Sequence, residues 1–504
     1  MQYLPNGEQM KRADEYTIRT LGVPSLFLME RAAAACVKEI QKRGHDLKHI
    51  CVVCGSGNNG GDGLAIGRML AQEGLKVTAV MAGQESHMTD ETLYQKKRFE
   101  ESGGILSDRF GNEEYSIIID ALFGVGLSRE ISGKYEALLR DMNEKKAVKV
   151  AVDIPSGICA GTGAVLGAAF SADYTVTFQA EKLGLVLYPG KKYAGEVITA
   201  DIGISEDPFR EDKEVACTLQ LQDYRNLLPE RNEESHKGSF GKVLLIAGSR
   251  GMSGAAYLNA LAAYRMGAGL VRIYTVEENR AVLQSQLPEA IVTAYERYDE
   301  EEVKELLAWA DVVCIGSGIG IGKTAESIFR QVMRDVEIPC VVDADGLNLM
   351  AAHRERTECP VGKKIVLTPH IKEFSRLTGK EAAKIKEDRA KALREFTEDV
   401  HMTCILKDAR TLTLASGGRI CVNCSGSAAM AKAGSGDVLA GIVTALLAQG
   451  LACEEAAALG AYLHGCAGEM AAEEKGRYSI LAREIADNIG RVIKTWEEDR
   501  YEAV

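Results

Sequence analysis

The strongest chemical signature in the chain is N-C-S-G-S-A-A-M-A-K-A-G-S-G-D-V-L-A-G, Asn423 to Gly441. Gly434, Ser435 and Gly436 precede a helix expected to start near Asp437, so unsatisfied backbone N–H groups and the helix dipole can stabilise a transferring phosphoryl group. Asp437 stands beside that anion hole. A carboxylate there can take the proton of a hydroxyl while fixed donors hold the phosphate, which is the division of labour phosphoryl transfer needs. The plainer alternative is that Asp437 is an N-cap, and the two roles are compatible. Other turns supply walls. C-I-L-K-D-A-R-T ends a strand with Lys407 and Thr411, a cation and a hydroxyl suited to a nucleotide phosphate. G-S-G-I-G at Gly316 to Gly320 and V-V-D-A-D-G-L-N at Val341 to Asn348 are flexible or acidic strand ends, and T-P-H-I-K-E-F places His370 after a proline turn, where an isolated histidine is an ordinary loop residue.

The first half carries a second constellation. G-S-G-N-N-G-G-D-G, Gly55 to Gly63, follows the apolar run Ile50 to Cys54 and precedes a helix expected over Gly63 to Gly74. It does not match G-x-G-x-x-G cleanly and lacks the lysine of a P-loop, so a ligand loop and a structural turn both remain open. I-I-I-D-A-L-F-G-V-G puts Asp120 at a strand end before Gly124-Val125-Gly126, and V-A-V-D-I-P-S-G puts Asp153 at another before Ser156-Gly157. Aspartates often cap turns, but three such strand ends on one edge of a parallel sheet mark the place where ligands collect. Oxygen donors from Asn, Asp and Ser suit a hard cation, and with so few charged ligands they admit a monovalent one, which the spacing does not identify. Lys182 in F-Q-A-E-K-L-G also follows a strand end, where contact with an anion, a part in proton transfer and a solvated surface position are all open.

The elements that position these residues follow from pattern. A helix is expected near Ser25 to Gly44, and strands at His49 to Cys54, Leu75 to Met81, Ser116 to Asp120, Lys149 to Asp153 and Tyr174 to Phe178. This order implies β-α-β units and a mainly parallel sheet. The charged stretch S-E-D-P-F-R-E-D-K-E after Ile204 then breaks the pattern, with a connecting segment expected up to about Ser235. Strands resume at Lys242 to Ala247, Val271 to Thr275, Asp311 to Gly316, Cys340 to Asp343, Lys364 to Thr368, Thr403 to Lys407 and Thr411 to Leu414, with an Ala-rich helix after the first. The expected organisation is two α/β domains in series, residues 1–215 and 216–504. A chain of 504 residues is too long for one ordinary core. A net charge of -12 excludes a nucleic-acid or anionic-membrane surface, so any phosphate must be held by local devices. The N-terminus lacks a basic and apolar leader pattern, and no apolar run is long enough to span a bilayer, which makes a cytoplasmic location the expectation. The cysteines, including Cys51 and Cys54 within one expected strand, read as core residues rather than a zinc or redox pair.

N-N-G-G-D-G, D-A-L-F-G-V-G-L, V-D-I-P-S-G and F-Q-A-E-K-L-G, in this order between about Leu26 and Ile204, resemble the N-terminal domain of the bifunctional NAD(P)H-hydrate repair enzyme family. The resemblance implies a Rossmann-like three-layer α/β/α sandwich that interconverts the R and S forms of hydrated NADH or NADPH at C6. It implies that Asn58, Asn59, Gly60, Gly61 and Asp62 contact the hydrate, together with Gly124, Val125, Gly126, Leu127, Ser128, Arg129 and Glu130. Asp153 would also touch it and would lead the acid/base work with Lys182, while Asn59, Asp120 and Ser156 would hold a potassium ion.

The second half, from about Leu227 to Ala486, is similar to the family's dehydratase domain, a ribokinase-like α/β/α fold. S-H-K-G-S-F-G-K-V-L-L-I-A-G-S, R-M-G-A-G-L-V, D-A-D-G-L-N, T-P-H-x-x-E-F and G-S-G-D-V-L-A-G stand in family order. By that resemblance ADP or ATP phosphorylates the C6 hydroxyl of the S hydrate with magnesium assisting, phosphate leaves, and NADH or NADPH is restored with AMP or ADP as by-product. Asp437 would be the base and Gly434, Ser435 and Gly436 the anion hole. Lys407, Asp408, Ala409, Arg410 and Thr411 with Gly436 would hold the nucleotide, and Ala255, Gly318 and His370 would face the hydrate with Asp437. The chain departs from the family pattern in three places. Asp408 replaces a usual glycine and would repel phosphate unless it turns away or meets a cation. Ile371-Lys372 replace Pro-Gly, and Ser427-Ala428-Ala429 and Ala433 replace Asn-Pro-Gly and a glycine. Relatives associate, so a homo-oligomer is expected. The competing possibility is a small-molecule kinase of ribokinase type whose first half is a non-catalytic nucleotide-binding or interaction module.

Overall fold

The computed structural model describes residues 1–353 and 363–502, so residues 354–362 and 503–504 of the expected second domain lie outside the described residues. The chain divides into two compact units, one spanning Gln2–Cys217 and the other running from Thr218 onward.

The first unit is built on a seven-stranded sheet. Its strands are β1 (Ile50–Cys54), β2 (Val77–Met81), β3 (Ile105–Ser107), β4 (Ile117–Ala121), β5 (Val148–Val152), β6 (Tyr174–Phe178) and β7 (Glu196–Ala200). They lie in the order β3-β2-β1-β4-β5-β6-β7, and every pairing is parallel. Chain order reverses between β1 and β4, which makes a switch point and a crevice at the carboxyl ends of those strands. Side chains along β1 alternate. Ile50, Val52 and Cys54 pack with Leu28, Ala32 and Leu64 of the helices Ser25–Lys42 and Asn58–Gln72. Cys51 and Val53 pack on the opposite face with Leu139 and Met142 of the helix Lys134–Glu144. The result is three layers, and the period of two places the Cys51 and Cys54 thiols on opposite faces of the sheet, too divergent to pair.

Four features of this unit differ from the pattern expected. The helix after β1 begins at Asn58, not Gly63, so N-N-G-G-D is its first turn rather than a loop. A helix over Gly7–Arg19, capped reciprocally by Asn6 and Gln9, precedes everything the pattern located. Edge strands β3 and β7 were also missed, because their side chains are largely exposed or half-buried and carry no continuous apolar run. The charged stretch after Ile204 is not a bare connector. It holds the helix Asp207–Glu211, whose Phe209 is fully buried beneath the charges that mask it in sequence.

The second unit contains β8 (Lys242–Ile246), β9 (Leu270–Val276), β10 (Ile291–Tyr295), β11 (Val312–Ile315), β12 (Cys340–Val342), β13 (Ile365–Leu367), β14 (Thr403–Leu406), β15 (Leu412–Leu414) and β16 (Cys421–Val422). Their order is β16-β15-β14-β13-β12-β11-β8-β9-β10, parallel from β10 through to β14 and antiparallel across β14, β15 and β16. The Ala-rich helix Ser253–Arg265 packs against the helix Ser435–Ala448. A β-carbon on Gly441 would stand 2.2 Å from the Asn259 carbonyl oxygen, so only glycine permits this approach. That contact fixes the helix whose first turn carries Asp437. Among the described residues no helix is long and apolar enough to cross a membrane.

Two candidate active sites

At the switch point of the first unit lies a cavity of about 850 Å³. Asn58, Asn59, Asp62, Gly124 to Arg129, Asp153 and Lys182 all line it. Gly60 and Gly61 are buried in the helix turn behind it, and Glu130 is exposed outside it. The loop glycine Gly55 serves the protein's own backbone: a β-carbon there would lie 2.0 Å from the Leu122 carbonyl oxygen, which locks the ends of β1 and β4 together. None of the glycines between 55 and 63 has positive φ.

Asp153, just past β5, adopts a left-handed conformation with φ 67, a strained geometry that clusters at functional sites. Its Oδ1 accepts from Thr177 Oγ1 at 3.2 Å, from the Phe178 N–H at 3.1 Å and from the Lys182 ammonium. Lys182 is fully buried, and its Nζ donates also to Thr177 Oγ1 and the Phe178 carbonyl, each at 2.9 Å. Its three N–H bonds are therefore all used within the protein. Burial excludes the solvated surface position, and the filled N–H bonds leave none for an anion; the ammonium faces Asp153.

Beneath the cavity, Asp120 is fully buried at the end of β4. Ser156 donates to it from its N–H and from Oγ, each at 2.7 Å, and the Leu122 N–H donates at 3.2 Å. Burial pushes the Asp120 carboxyl up to about 6, although these donors pull it back. Asn59 packs on Gly124, which adjoins the Phe123 whose N–H donates to Ser156 Oγ, and among the described residues its buried Nδ2 has no partner. The two ends of an amide differ only by assignment, so the same group can present an oxygen. A buried carboxylate short of a counter-charge, an orphaned amide and the remaining lone pair of Ser156 Oγ form a donor set that fits one weakly charged cation.

The helix Gly7–Arg19 contributes Lys11, Asp14 and Glu15 to the same cavity. Burial, then Asp153, push the carboxyls of both Asp14 and Asp62 up, that of Asp62 well above its usual range. The signal for Asp14 was in the sequence. Asn6 and Gln9 form a capping box, and Met10, Ala13 and Thr17 recur at helical spacing, which leaves Asp14 at the edge of the buried stripe.

In the second unit Gly434 has φ 89 and caps the helix Ser435–Ala448. The helix therefore starts two residues before Asp437, contrary to the sequence expectation, and Asp437 is not its N-cap. Ser435, Gly436 and Asp437 form its first turn, where N–H groups lack intrahelical acceptors. Burial pushes Asp437 up to about 7, with Asp343 adding and Lys407 and Ser317 opposing. A carboxyl titrating near neutrality is matched to general-base work. Lys407 Nζ donates to Asp343 Oδ1 at 3.2 Å, and a β-carbon on Gly436 would stand 3.3 Å from the same nitrogen. The ammonium is thus aimed at the first turn of the helix, where a phosphate would sit.

Asp343 is the anchor of this arrangement, receiving Ser317 Oγ at 3.0 Å and Thr368 Oγ1 at 2.6 Å. Burial pushes its carboxyl up, but Lys407 and these hydroxyls outweigh burial and hold it below the usual range. Ser317, which donates to Asp343, also lowers the Asp437 carboxyl, so the neighbouring Gly318 lies near Asp437. A β-carbon on Gly318 would fall 2.9 Å from that of Ala255, so those two expected hydrate contacts do meet. His370 caps the helix Ile371–Thr378, accepting at Nδ1 from the N–H groups of Lys372 and Glu373 at 3.1 Å. The Lys407 N–H bonds the Pro369 carbonyl at 2.8 Å, which brings His370 alongside Lys407. Thr411 Oγ1 folds back to the Asp408 carbonyl at 3.4 Å, Arg410 donates to the Cys424 carbonyl at 2.8 Å, and Ala409 lies in the same turn. Asp408 meets a cation: the buried Arg389 donates to its Oδ2 at 2.5 Å, which removes the objection to an acid beside phosphate. Ala428–Met430, in the altered segment, is a short 3-10 turn. His464, which no motif singled out, places Nε2 3.2 Å from Ser435 Oγ, and burial pushes it down to about 4, so it stays neutral beside Lys407.

Both units match known proteins. Residues 243–491 match a family model described as NAD(P)H-hydrate dehydratase, and residues 25–184 match the YjeF-related protein N-terminus. Curated bifunctional NAD(P)H-hydrate repair enzymes align end to end. That of Moorella thermoacetica is 34% identical over 99% of this chain and 98% of its own, and that of Coxiella burnetii is 36% identical over 96% and 98%. Among solved structures, the ADP/ATP-dependent NAD(P)H-hydrate dehydratase of Bacillus subtilis, co-crystallised with ATP and magnesium, is 30% identical with a TM-score of 0.50, covering 56% of this chain and 99% of that one.

Proposed function

The chain belongs to the family of bifunctional NAD(P)H-hydrate repair enzymes, and from that premise we propose how its residues divide the work. The enzyme epimerises hydrated NADH and NADPH at C6 and dehydrates the S form with ADP or ATP, releasing AMP or ADP and phosphate. Epimerisation belongs to the cavity of Gln2–Cys217 and dehydration to the site around Asp437.

In the dehydratase site Asp437 takes the proton of the C6 hydroxyl. The first-turn N–H groups of the Gly434-Ser435-Gly436 segment and the Lys407 ammonium hold the phosphoryl group as it transfers. Lys407, Asp408, Ala409, Arg410 and Thr411 with Gly436 bound the nucleotide site, and Ala255, Gly318 and His370 the hydrate site. Among the described residues no cluster of three or more His, Cys, Asp or Glu side chains is poised for a metal, so magnesium would enter with the nucleotide phosphates, whose charge it neutralises. In the epimerase site Asn58, Asn59, Asp62 and Gly124 to Arg129 surround the hydrate, Asp153 moves protons and Lys182 positions it. Asn59, Asp120 and Ser156 would hold potassium, whose positive charge would keep the buried Asp120 ionised. A homo-oligomer and a cytoplasmic location complete the proposal.

The observation that carries this assignment is Asp437, titrating near 7 at the first turn of a helix faced by Lys407. The test mixes R and S hydrated NADH with ADP and magnesium, following reduced-nicotinamide absorbance together with inorganic phosphate. Both epimers should be consumed, with one phosphate per NADH. A stable phosphorylated product, or no recovery of NADH, would favour the kinase alternative instead.

A further inference from the structure

Two aspartates of the first unit line one cavity and are treated differently by their surroundings. Asp62 rides on the helix that follows β1 and Asp153 on the turn that follows β5, and only β4 lies between those strands. Asp153 receives three donors, all on Oδ1, which leaves Oδ2 open to the cavity's contents. Among the described residues no hydrogen-bond donor and no cation reaches the Asp62 carboxyl. The charged groups around it are Lys11, Asp14 and Glu15 from the N-terminal helix, Glu91, Arg129, and the Asp153–Lys182 pair. Behind it the Cys36 thiol is pushed up by burial and then by Asp62 and Asp153, so it brings no charge. Two acids in one site whose environments differ in this way divide naturally into donor and acceptor.

We infer that Asp62 is the proton donor of the epimerase site, giving its proton to the C6 oxygen of the hydrate as the C6–O bond breaks, with Asp153 as the acceptor when water returns. The inference rests on the epimerase function proposed above and assigns its chemistry. The bonding pair of the C6–O bond leaves with oxygen, which takes the Asp62 proton and departs as water. The lone pair of the ring nitrogen forms the new bond to C6, leaving that carbon planar. Water adds to the other face, the pair shared between nitrogen and carbon returns to nitrogen, and Asp153 Oδ2 accepts the proton released. The two carboxyls exchange roles for the opposite epimer, and their protons re-equilibrate with solvent between turnovers.

Burial, then the Asp153 and Asp14 charges, keep Asp62 protonated well above the usual carboxyl range. Exchange should therefore persist through neutral pH and fall as pH rises through that raised value. The test gives pure R hydrate to the full chain without ADP, so that only exchange is read, and follows the epimers by chromatography. Asp62→Asn keeps shape but cannot give the proton. Exchange should fall by about 10²–10⁴-fold, with hydrate binding retained and with ADP-dependent recovery of NADH from pure S hydrate unchanged in the same chain. Asp62→Glu should restore part of the rate. Wild-type exchange by Asp62→Asn would overturn the donor role and leave the epimerase assignment standing. Loss of hydrate binding in both variants would also overturn it, by making Asp62 structural. Absence of exchange in the wild type would overturn the assignment itself.

Discussion

Lys182 and Lys407 each follow a strand of a parallel sheet and each pairs with a buried aspartate, yet they are built for different tasks. Lys182 spends all three N–H bonds on Asp153, Thr177 and Phe178 and is closed to solvent. Lys407 makes one bond, to Asp343, and faces Gly436 across an open turn. Asp343 in turn is held by two hydroxyls besides the lysine, whereas Asp153 keeps Oδ2 free. In the first unit the lysine is fixed and the acid is available. In the second the acid is fixed and the lysine is available. On the roles proposed above, the same residue pair serves proton transfer in one site and phosphate binding in the other.

The largest effect that tests this contrast is on Asp437. Asp437→Asn should lower ADP-dependent recovery of NADH from S hydrate by about 10²–10⁴-fold while epimer exchange proceeds as in the wild type. Next come the lysines. Lys182→Met takes the counter-charge from Asp153, which borders the cavity and keeps the Thr177 and Phe178 donors, so the expected result is lost exchange with only a small fall in the denaturation midpoint. Lys407→Met likewise leaves its acid held, by Ser317 and Thr368, and should raise the KM for ADP about tenfold or more, the worth of one charge-assisted contact. If Lys182→Met leaves exchange unchanged, or Lys407→Met leaves the KM for ADP unchanged, the contrast fails.

A smaller effect is on pH dependence. The dehydratase rate should climb as pH rises through about 7, because Asp437 acts ionised, and level off above it. Lys407 lowers that titration, so Lys407→Met should move the rising limb to higher pH. The smallest expected effect is at Gly7, whose β-carbon would lie 2.1 Å from the Val125 carbonyl oxygen. Gly7→Ala should push the Asp14 helix off the hydrate loop at a cost of about 1–3 kcal/mol, weakening exchange and sparing dehydration.

Much of this was legible before the structure. The strand ends at Asp120 and Asp153 were visible because each apolar run stops at a charged residue followed by glycine or proline chemistry, and that at Lys407 because a charged pair ends the run Cys404 to Leu406. What escaped were features whose signal lies in three dimensions. His464 lies mid-helix among alanines and glycines, revealed only by its contact with Ser435. The start of the helix at Ser435 was misplaced because glycines at its cap and second position disguise a regular first turn. Arg389 lies 19 residues before Asp408, and nothing short of the fold connects them.

The most direct measurement of the central claim is NADH recovery from pure R hydrate with ADP and magnesium, wild type beside Asp153→Ala. The wild type should recover all of it, whereas Asp153→Ala should slow to the spontaneous exchange rate yet repair pure S hydrate normally. Consumption of R hydrate by Asp153→Ala at the wild-type rate would contradict the account.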